Sequence, residues 1–108
     1  MRDGLYRVQF HTQLGTGAGV VFLQNGKLWG GDSTIYYVGA YLESDGQFTA
    51  RVATNKHTDV PGMGSAFAVD RAHITLAGTI NGDSAEMTGT AAEAPNVSFR
   101  ATLTRIAD

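Results

Sequence analysis

The sequence predicts an all-β chain, an eight-stranded antiparallel up-and-down barrel, and three observations predict it. Apolar and polar residues alternate with a period of two over several segments. Turns rich in glycine, asparagine and aspartate separate those segments. No window keeps a helical apolar period for three turns. The composition agrees: among 108 residues there are 14 glycines and 2 prolines.

The first strand is expected over about Leu5–Thr12, with Tyr6, Val8 and Phe10 on one face and Arg7, Gln9 and His11 on the other. The second, about Gly17–Gln24, holds Val20, Val21, Phe22 and Leu23, and its alternation is too weak to assign faces. Asn25-Gly26 then predicts a type I′ hairpin, because that turn needs φ > 0 at both central residues. A short third strand covers about Lys27–Gly30, and Gly31-Asp32-Ser33 turns a corner. The fourth runs about Thr34–Leu42, followed by a hairpin loop Glu43-Ser44-Asp45-Gly46 with Gly46 in the left-handed conformation.

The fifth strand, about Gln47–Asn55, points Phe48, Ala50 and Val52 inward. A longer connection over His57–Asp70 holds Pro61, Gly62 and Gly64. The sixth, about Ala72–Ile80, has Ile74, Leu76 and Ile80 inside and His73, Thr75 and Thr79 outside. Asn81-Gly82-Asp83 turns into the seventh, about Ser84–Ala91, with Ala85, Met87 and Gly89 inside and Glu86, Thr88 and Thr90 outside. Ala94-Pro95-Asn96 is the next expected turn. The eighth, about Val97–Ile106, points Val97, Phe99, Ala101 and Leu103 inward.

Every connection expected here is local, which favours a barrel over a two-sheet sandwich with its crossovers. Pairing the last strand with the first removes both exposed edges. The chain is therefore read as one β-barrel domain over 1–108. Eight strands enclose an interior that side chains fill or that holds one small ligand. The inward positions Ala50, Gly78, Ala85, Gly89 and Ala101 are small. They allow either a flattened, tightly packed barrel or an apolar cavity.

The net charge is −2 and the pI is near 5.8, with no dense basic cluster. That disfavours direct binding of nucleic acid. The chain has no cysteine, which excludes disulfides, thiol catalysis and cysteine-ligated zinc, and leans towards the cytoplasm. The first residues enter a strand pattern with no signal-like apolar stretch, and no apolar run is long enough for a membrane helix. The expected outer face carries Arg, Gln, His, Glu and Thr, which suits water and not lipid.

No catalytic set is visible, and a non-enzymatic role without a cofactor is expected. His11 and His73 fall on outward faces of different strands, and His57-Thr58-Asp59 is a weak pair, so no metal site is expected. Glu43, Asp45 and Asp32 sit in turns, where acids are ordinary. Serines 33, 44, 65, 84 and 98 lack a nucleophile elbow. Gly15-Thr16-Gly17-Ala18-Gly19 resembles a phosphate loop but lacks the Lys-Ser/Thr ending and a following helix. Such glycines within a β pattern mark bulges or close strand approach.

The fourth strand is apolar on both faces: Tyr36, Val38, Ala40 and Leu42 on one, Tyr37, Gly39 and Tyr41 on the other. A strand buried on both sides implies a partner outside the barrel. A homodimer burying Trp29, Tyr37 and Tyr41 is the resulting expectation.

Asp3-Gly4-Leu5-Tyr6, Gly19, Asn25-Gly26, Gly30-Gly31-Asp32, Tyr37, Gly39 and Tyr41 occur in an order that resembles the GrlR-like proteins, negative regulators of bacterial type III secretion. The likeness is clearest over residues 3–48, with Pro61 as one further match. It implies a lipocalin-like barrel that dimerises and inhibits by binding a transcriptional activator. It also implies a regulatory acidic loop, here Glu43-Ser44-Asp45-Gly46, which keeps two acids where the family has an unbroken acidic run. Glu43 and Asp45 are thus the expected contacts to a basic protein partner. The alternative is a lipocalin-like carrier of a small apolar molecule.

Overall fold

The computed structural model describes residues 1–13, 15–60 and 71–108. Eight antiparallel strands close into one barrel. They are β1 (Gly4–Thr12), β2 (Gly15–Gln24), β3 (Lys27–Gly31), β4 (Ile35–Ser44), β5 (Gln47–Lys56), β6 (Arg71–Asn81), β7 (Ser84–Ala91) and β8 (Ala94–Ala107). Each strand pairs with its neighbours in the chain, and β8 closes onto β1 from Leu5–Ala107 to Thr12–Phe99. Ile106 is skipped between the Tyr6–Arg105 and Leu5–Ala107 pairs, a bulge at the seam.

The alternation read from the sequence sets the inside of the barrel. Tyr6, Val8, Phe48, Ala50, Ile74, Leu76, Ala85, Met87, Phe99, Ala101 and Leu103 are all buried. Phe10, Val52, Ile80 and Val97 pack against them, half-buried. The faces of β2 are also settled. Val21 and Leu23 are buried, so the period of two puts Gly15, Gly17 and Gly19 on the same inner face. The β1–β2 ladder is regular from Gly4–Leu23 to Thr12–Gly15, so these glycines are not bulges. Gly17 and Gly19 leave room for rings. A Cβ on Gly17 would lie 2.4 Å from Phe10 Cε2, and one on Gly19 would lie 2.6 Å from Tyr37 Oη.

Two hairpins share one turn geometry. Asn25 and Gly26 have φ of 52° and 81°, and Asp45 and Gly46 have 52° and 79°. Both are the type I′ pattern, whose twist matches that of the flanking strands. The expected four-residue loop Glu43–Gly46 is therefore corrected: Glu43 and Ser44 pair with Phe48 and Gln47 inside the ladder. At Gly82-Asp83 only Gly82 has positive φ, at 63°.

A second correction concerns the β7–β8 connection. The turn is Ala92-Glu93 and not Ala94-Pro95-Asn96. Ala92 N–H donates to the His73 carbonyl oxygen at 2.9 Å. The Glu93 carboxylate accepts from the His73 backbone N–H at 2.6 Å and meets its Nδ1 at 2.5 Å. That hydrogen bonding also holds the Glu93 carboxyl below its ordinary range. Pro95 is instead taken up in β8, where the β7 ladder jumps from Ala91–Ala94 to Gly89–Phe99. A proline fits there because no ladder N–H is needed. The Gln13 side chain covers the gap, donating to the Asn96 carbonyl at 3.0 Å and accepting from Ser98 N–H at 3.0 Å.

The residues Pro61, Gly62 and Gly64 of the expected long connection, with Ser65, lie outside the described residues.

Candidate functional site: the barrel interior

An up-and-down barrel has two ends. The lower end carries the Asn25-Gly26, Asp45-Gly46 and Gly82-Asp83 turns, and the upper end carries Asp32–Thr34 and Ala92-Glu93. The lower end is packed shut. Tyr6 and Leu23 are 0% exposed and Phe48 1%. Tyr41 stacks on Phe48 with ring centroids 5.2 Å apart. The Tyr6 hydroxyl donates to the Arg2 carbonyl oxygen at 2.6 Å, and Arg2 grips both carboxylate oxygens of Asp83 at 3.1 and 2.6 Å.

Above this plug the barrel is hollow. A cavity of about 280 Å³ runs from Phe48, Met87 and Leu103 up to the rim formed by Gly15–Ala18, Asp32–Ile35 and Thr54. Ala50 and Ala101 stand on its wall, in strands that also carry Phe48, Phe99 and Leu103. Of the two arrangements the small inward residues allow, these two alanines therefore line a cavity. Gly78 serves close packing instead: its Cβ would sit 1.8 Å from the Glu86 carbonyl oxygen of the adjacent strand.

Aromatic rings shape the upper half. Phe10 lies edge-on to Tyr37, centroids 6.5 Å apart, and stacks on Phe99 at 6.1 Å. The glycine face of β2 is what admits Phe10 and Tyr37.

One polar cluster stands at the mouth. Asp32 Oδ1 accepts the backbone N–H groups of Thr34 at 2.9 Å and Ile35 at 2.8 Å, a local aspartate turn that starts β4. Its Oδ2 accepts the Tyr37 hydroxyl at 2.5 Å. Burial, then that hydrogen bond, then the Asp32 charge push the Tyr37 phenol far above its ordinary range, so it remains a donor. His57 sits just outside this cluster. Its Nε2 lies 3.0 Å from the Asp32 carbonyl oxygen, which can only accept, so Nε2 carries the proton. His57 N–H also donates to the Thr34 carbonyl at 2.8 Å.

The structure redistributes the residues expected to form a dimer. Tyr37 and Tyr41 are each 7% exposed and belong to the core, so neither is available to a partner. The reason is parity. In β4 it is Tyr36, Val38, Ala40 and Leu42 that face outward, and Tyr37, Gly39 and Tyr41 that face inward. Trp29 is exposed and packs on Phe22, centroids 5.6 Å apart. Strand pairing aligns Leu5, Phe22, Trp29, Val38 and Ala53 in one row across the outer wall of β1–β5.

Glu43 and Asp45 lie at the lower end, away from the cavity mouth. The Glu43 carboxylate is paired with the Met1 amino group. Asp45 is exposed, in the left-handed turn position. His11 and His73 face outward, and among the described residues no three potential ligands converge on a metal site. Among the described residues no helix is long and apolar enough to cross a membrane.

No known protein-family model matches the chain, and no curated protein matches it. The sequence reading had placed Asp32 in a corner and missed its role beside Thr34 and Thr54 at a cavity mouth. The signal was present in Gly15, Gly17 and Gly19, three side-chain-free positions on one face of a strand.

Proposed function

We propose that this chain is a non-enzymatic binding barrel that takes a small, largely apolar molecule into its interior. The observation that carries this reading is the cavity of about 280 Å³, shut below and reached from above. A dry apolar cavity of about 150 Å³ already holds benzene. The space here suits an aromatic of two to three rings or a medium-length alkyl chain. Leucines at positions 50 and 101 would take up about half of it, and alanines stand there instead.

The test is a fluorescence titration with N-phenyl-1-naphthylamine, an apolar probe that brightens when shielded from water. Saturable binding of one probe per barrel is expected. Replacing Ala50→Leu and Ala101→Leu together should abolish it while the melting temperature holds or rises, since the added methyl groups enter free space. An absence of saturable binding, or equal binding by the filled variant, overturns the reading.

A second reading is favoured by the outer wall. Val20, Trp29, Tyr36, Val38 and Leu42 are all exposed there, between 41% and 77%. Arg7, Lys27, Arg51 and Arg71 surround them, exposed and without an ion-pair partner among the described residues. An aromatic patch inside a charged rim is the usual build of a protein contact. The basic rim fits an acidic protein partner, and two identical walls face to face would set like charges together. This reading keeps the regulatory role implied by the GrlR-like resemblance, possession of a protein partner, and moves its contact from Glu43 and Asp45 to the wall. Capture of an acidic protein should be salt-sensitive and lost in both Trp29→Glu and the Arg7→Glu plus Arg51→Glu variant. Capture that survives both variants removes the wall from consideration.

A further inference from the structure

We infer that the molecule held in the barrel carries a cationic amine at its polar end, with a neutral hydroxyl second best and a carboxylate excluded. This rests on the reading of the interior as a ligand site.

The charge at the mouth has one sign. Among the described residues lining the cavity the only ionisable carboxyl is Asp32, and none is Lys, Arg or His. A carboxylate brought out of water requires a cation or several free N–H donors. The N–H donors nearest Asp32, and the Tyr37 hydroxyl, are already committed to it. The amides of Thr34 and Ile35 point at Asp32 Oδ1, and the Tyr37 hydroxyl points at Oδ2. His57 lies outside the lining, with its Nε2 proton given to the Asp32 carbonyl oxygen. An incoming anion would therefore meet a carboxylate and no free positive group.

The same arrangement suits an amine. Each carboxylate oxygen has two lone-pair positions. Oδ1 takes the two amide bonds at 2.9 and 2.8 Å and the Thr34 hydroxyl at 3.4 Å, whereas among the described residues Oδ2 takes one bond, from the Tyr37 hydroxyl. Oδ2 thus keeps a free acceptor position at the mouth. With the Thr34 and Ile35 amides and the Tyr37 hydroxyl all donating to it, the Asp32 carboxyl is fixed in place at the mouth. Ser33 and Thr54 supply further hydroxyls at the same rim. An alkyl or aromatic body reaching down towards Ala50 and Ala101 would leave an ammonium group level with Asp32.

The experiment displaces N-phenyl-1-naphthylamine with octylamine, octanol and octanoate, which share one chain and differ in the head. Octylamine should compete about tenfold or more better than octanoate, with octanol between them, and its lead should shrink with added salt. Asp32→Asn should bring octylamine down to the level of octanol and leave octanol unchanged. Equal competition by octanoate and octylamine overturns the inference while probe binding itself upholds the interior site. Failure of the probe to bind overturns both. If Asp32→Asn does not fold, the order of the three competitors on the wild-type protein decides the matter alone.

Discussion

The Tyr37 hydroxyl reaches across the inside of the upper barrel to Asp32 Oδ2, 2.5 Å away, and ties the start of β4 to the corner that precedes it. The same aspartate holds the Thr34 and Ile35 amides. Asp32→Ala strands two amides and a phenol at once. A loss of about 2–4 kcal/mol is expected, from the usual weight of hydrogen bonds to a charged group. Tyr37→Phe should cost about 1–2 kcal/mol. Urea denaturation of both single variants and the double variant checks this. The double variant should cost less than the sum, because the two residues share one bond.

Alkaline pH should unfold the barrel through its tyrosines. Burial is the leading cause that raises Tyr6, Tyr37 and Tyr41 above their ordinary range. Above pH about 10 the unfolded chain releases these protons while the folded barrel keeps them, so stability falls as pH rises. Each such phenol contributes a slope of at most about 1.4 kcal/mol per pH unit between its unfolded and folded ionisation, and no slope below it. Absorbance at 295 nm should show these three ionising together with unfolding. A gradual ionisation with the circular dichroism unchanged would contradict the burial described.

Gly78 offers a sharper test of the close strand approach. Its Cβ would press on the Glu86 carbonyl oxygen at 1.8 Å, and backbone cannot move aside cheaply. Gly78→Ala should destabilise by about 2 kcal/mol or more. For a chain of this size that is on the order of 10 °C in melting temperature.

The lower hairpin separates charge from backbone. Nothing lies within 4 Å of a Cβ on Gly46, yet its φ is +79°. Gly46→Val should cost about 1–2 kcal/mol through backbone strain alone. Asp45→Asn should leave stability within about 0.5 kcal/mol, since asparagine accepts the same turn conformation. Thermal melts of the two variants give the comparison.

Inner and outer aromatic residues should respond oppositely to charge. Trp29 is 43% exposed and Tyr41 7%. Trp29→Glu should therefore fold with a melting temperature within a few degrees of wild type, whereas Tyr41→Glu should not form the barrel. Circular dichroism on the two purified variants decides it.

The strands were legible because alternation marks a half-buried surface directly. Tyr6, Val8, Phe48, Ile74 and Leu76 could be assigned to the inside before any coordinates. Tyr37 and Tyr41 could not, because β4 is apolar on both faces and period two gives no preference between them. β2 was illegible for a related reason: Gly15, Gly17 and Gly19 share its inner face with no side chain to betray it. The meaning of Gly17 and Gly19 lies in Phe10 and Tyr37, on other strands, whose rings occupy the space. The Ala92-Glu93 turn also depends on a distant residue, His73, so local turn chemistry pointed instead to Pro95. The mouth cluster is of the same kind, with Thr54 brought beside Asp32 by the Tyr37–Thr54 pairing of β4 with β5.

The seam between β1 and β8 differs from every other pairing in the ring. Each of the other ladders joins strands that follow one another in the chain, and those joined by tight hairpins can zip from the turn outward. The seam must bring Leu5 to Ala107 and Thr12 to Phe99 across nearly the whole sequence. It carries most of the loop-closure entropy of the fold. Assembly then takes the form of a curling ribbon whose last act is to meet itself. Until the Tyr6–Arg105 register is found, both rims of that ribbon offer unpaired amides to any neighbouring chain. Folding rate is therefore expected to be more sensitive to changes at the Ile106 bulge than at any hairpin tip, which stopped-flow refolding of variants would check.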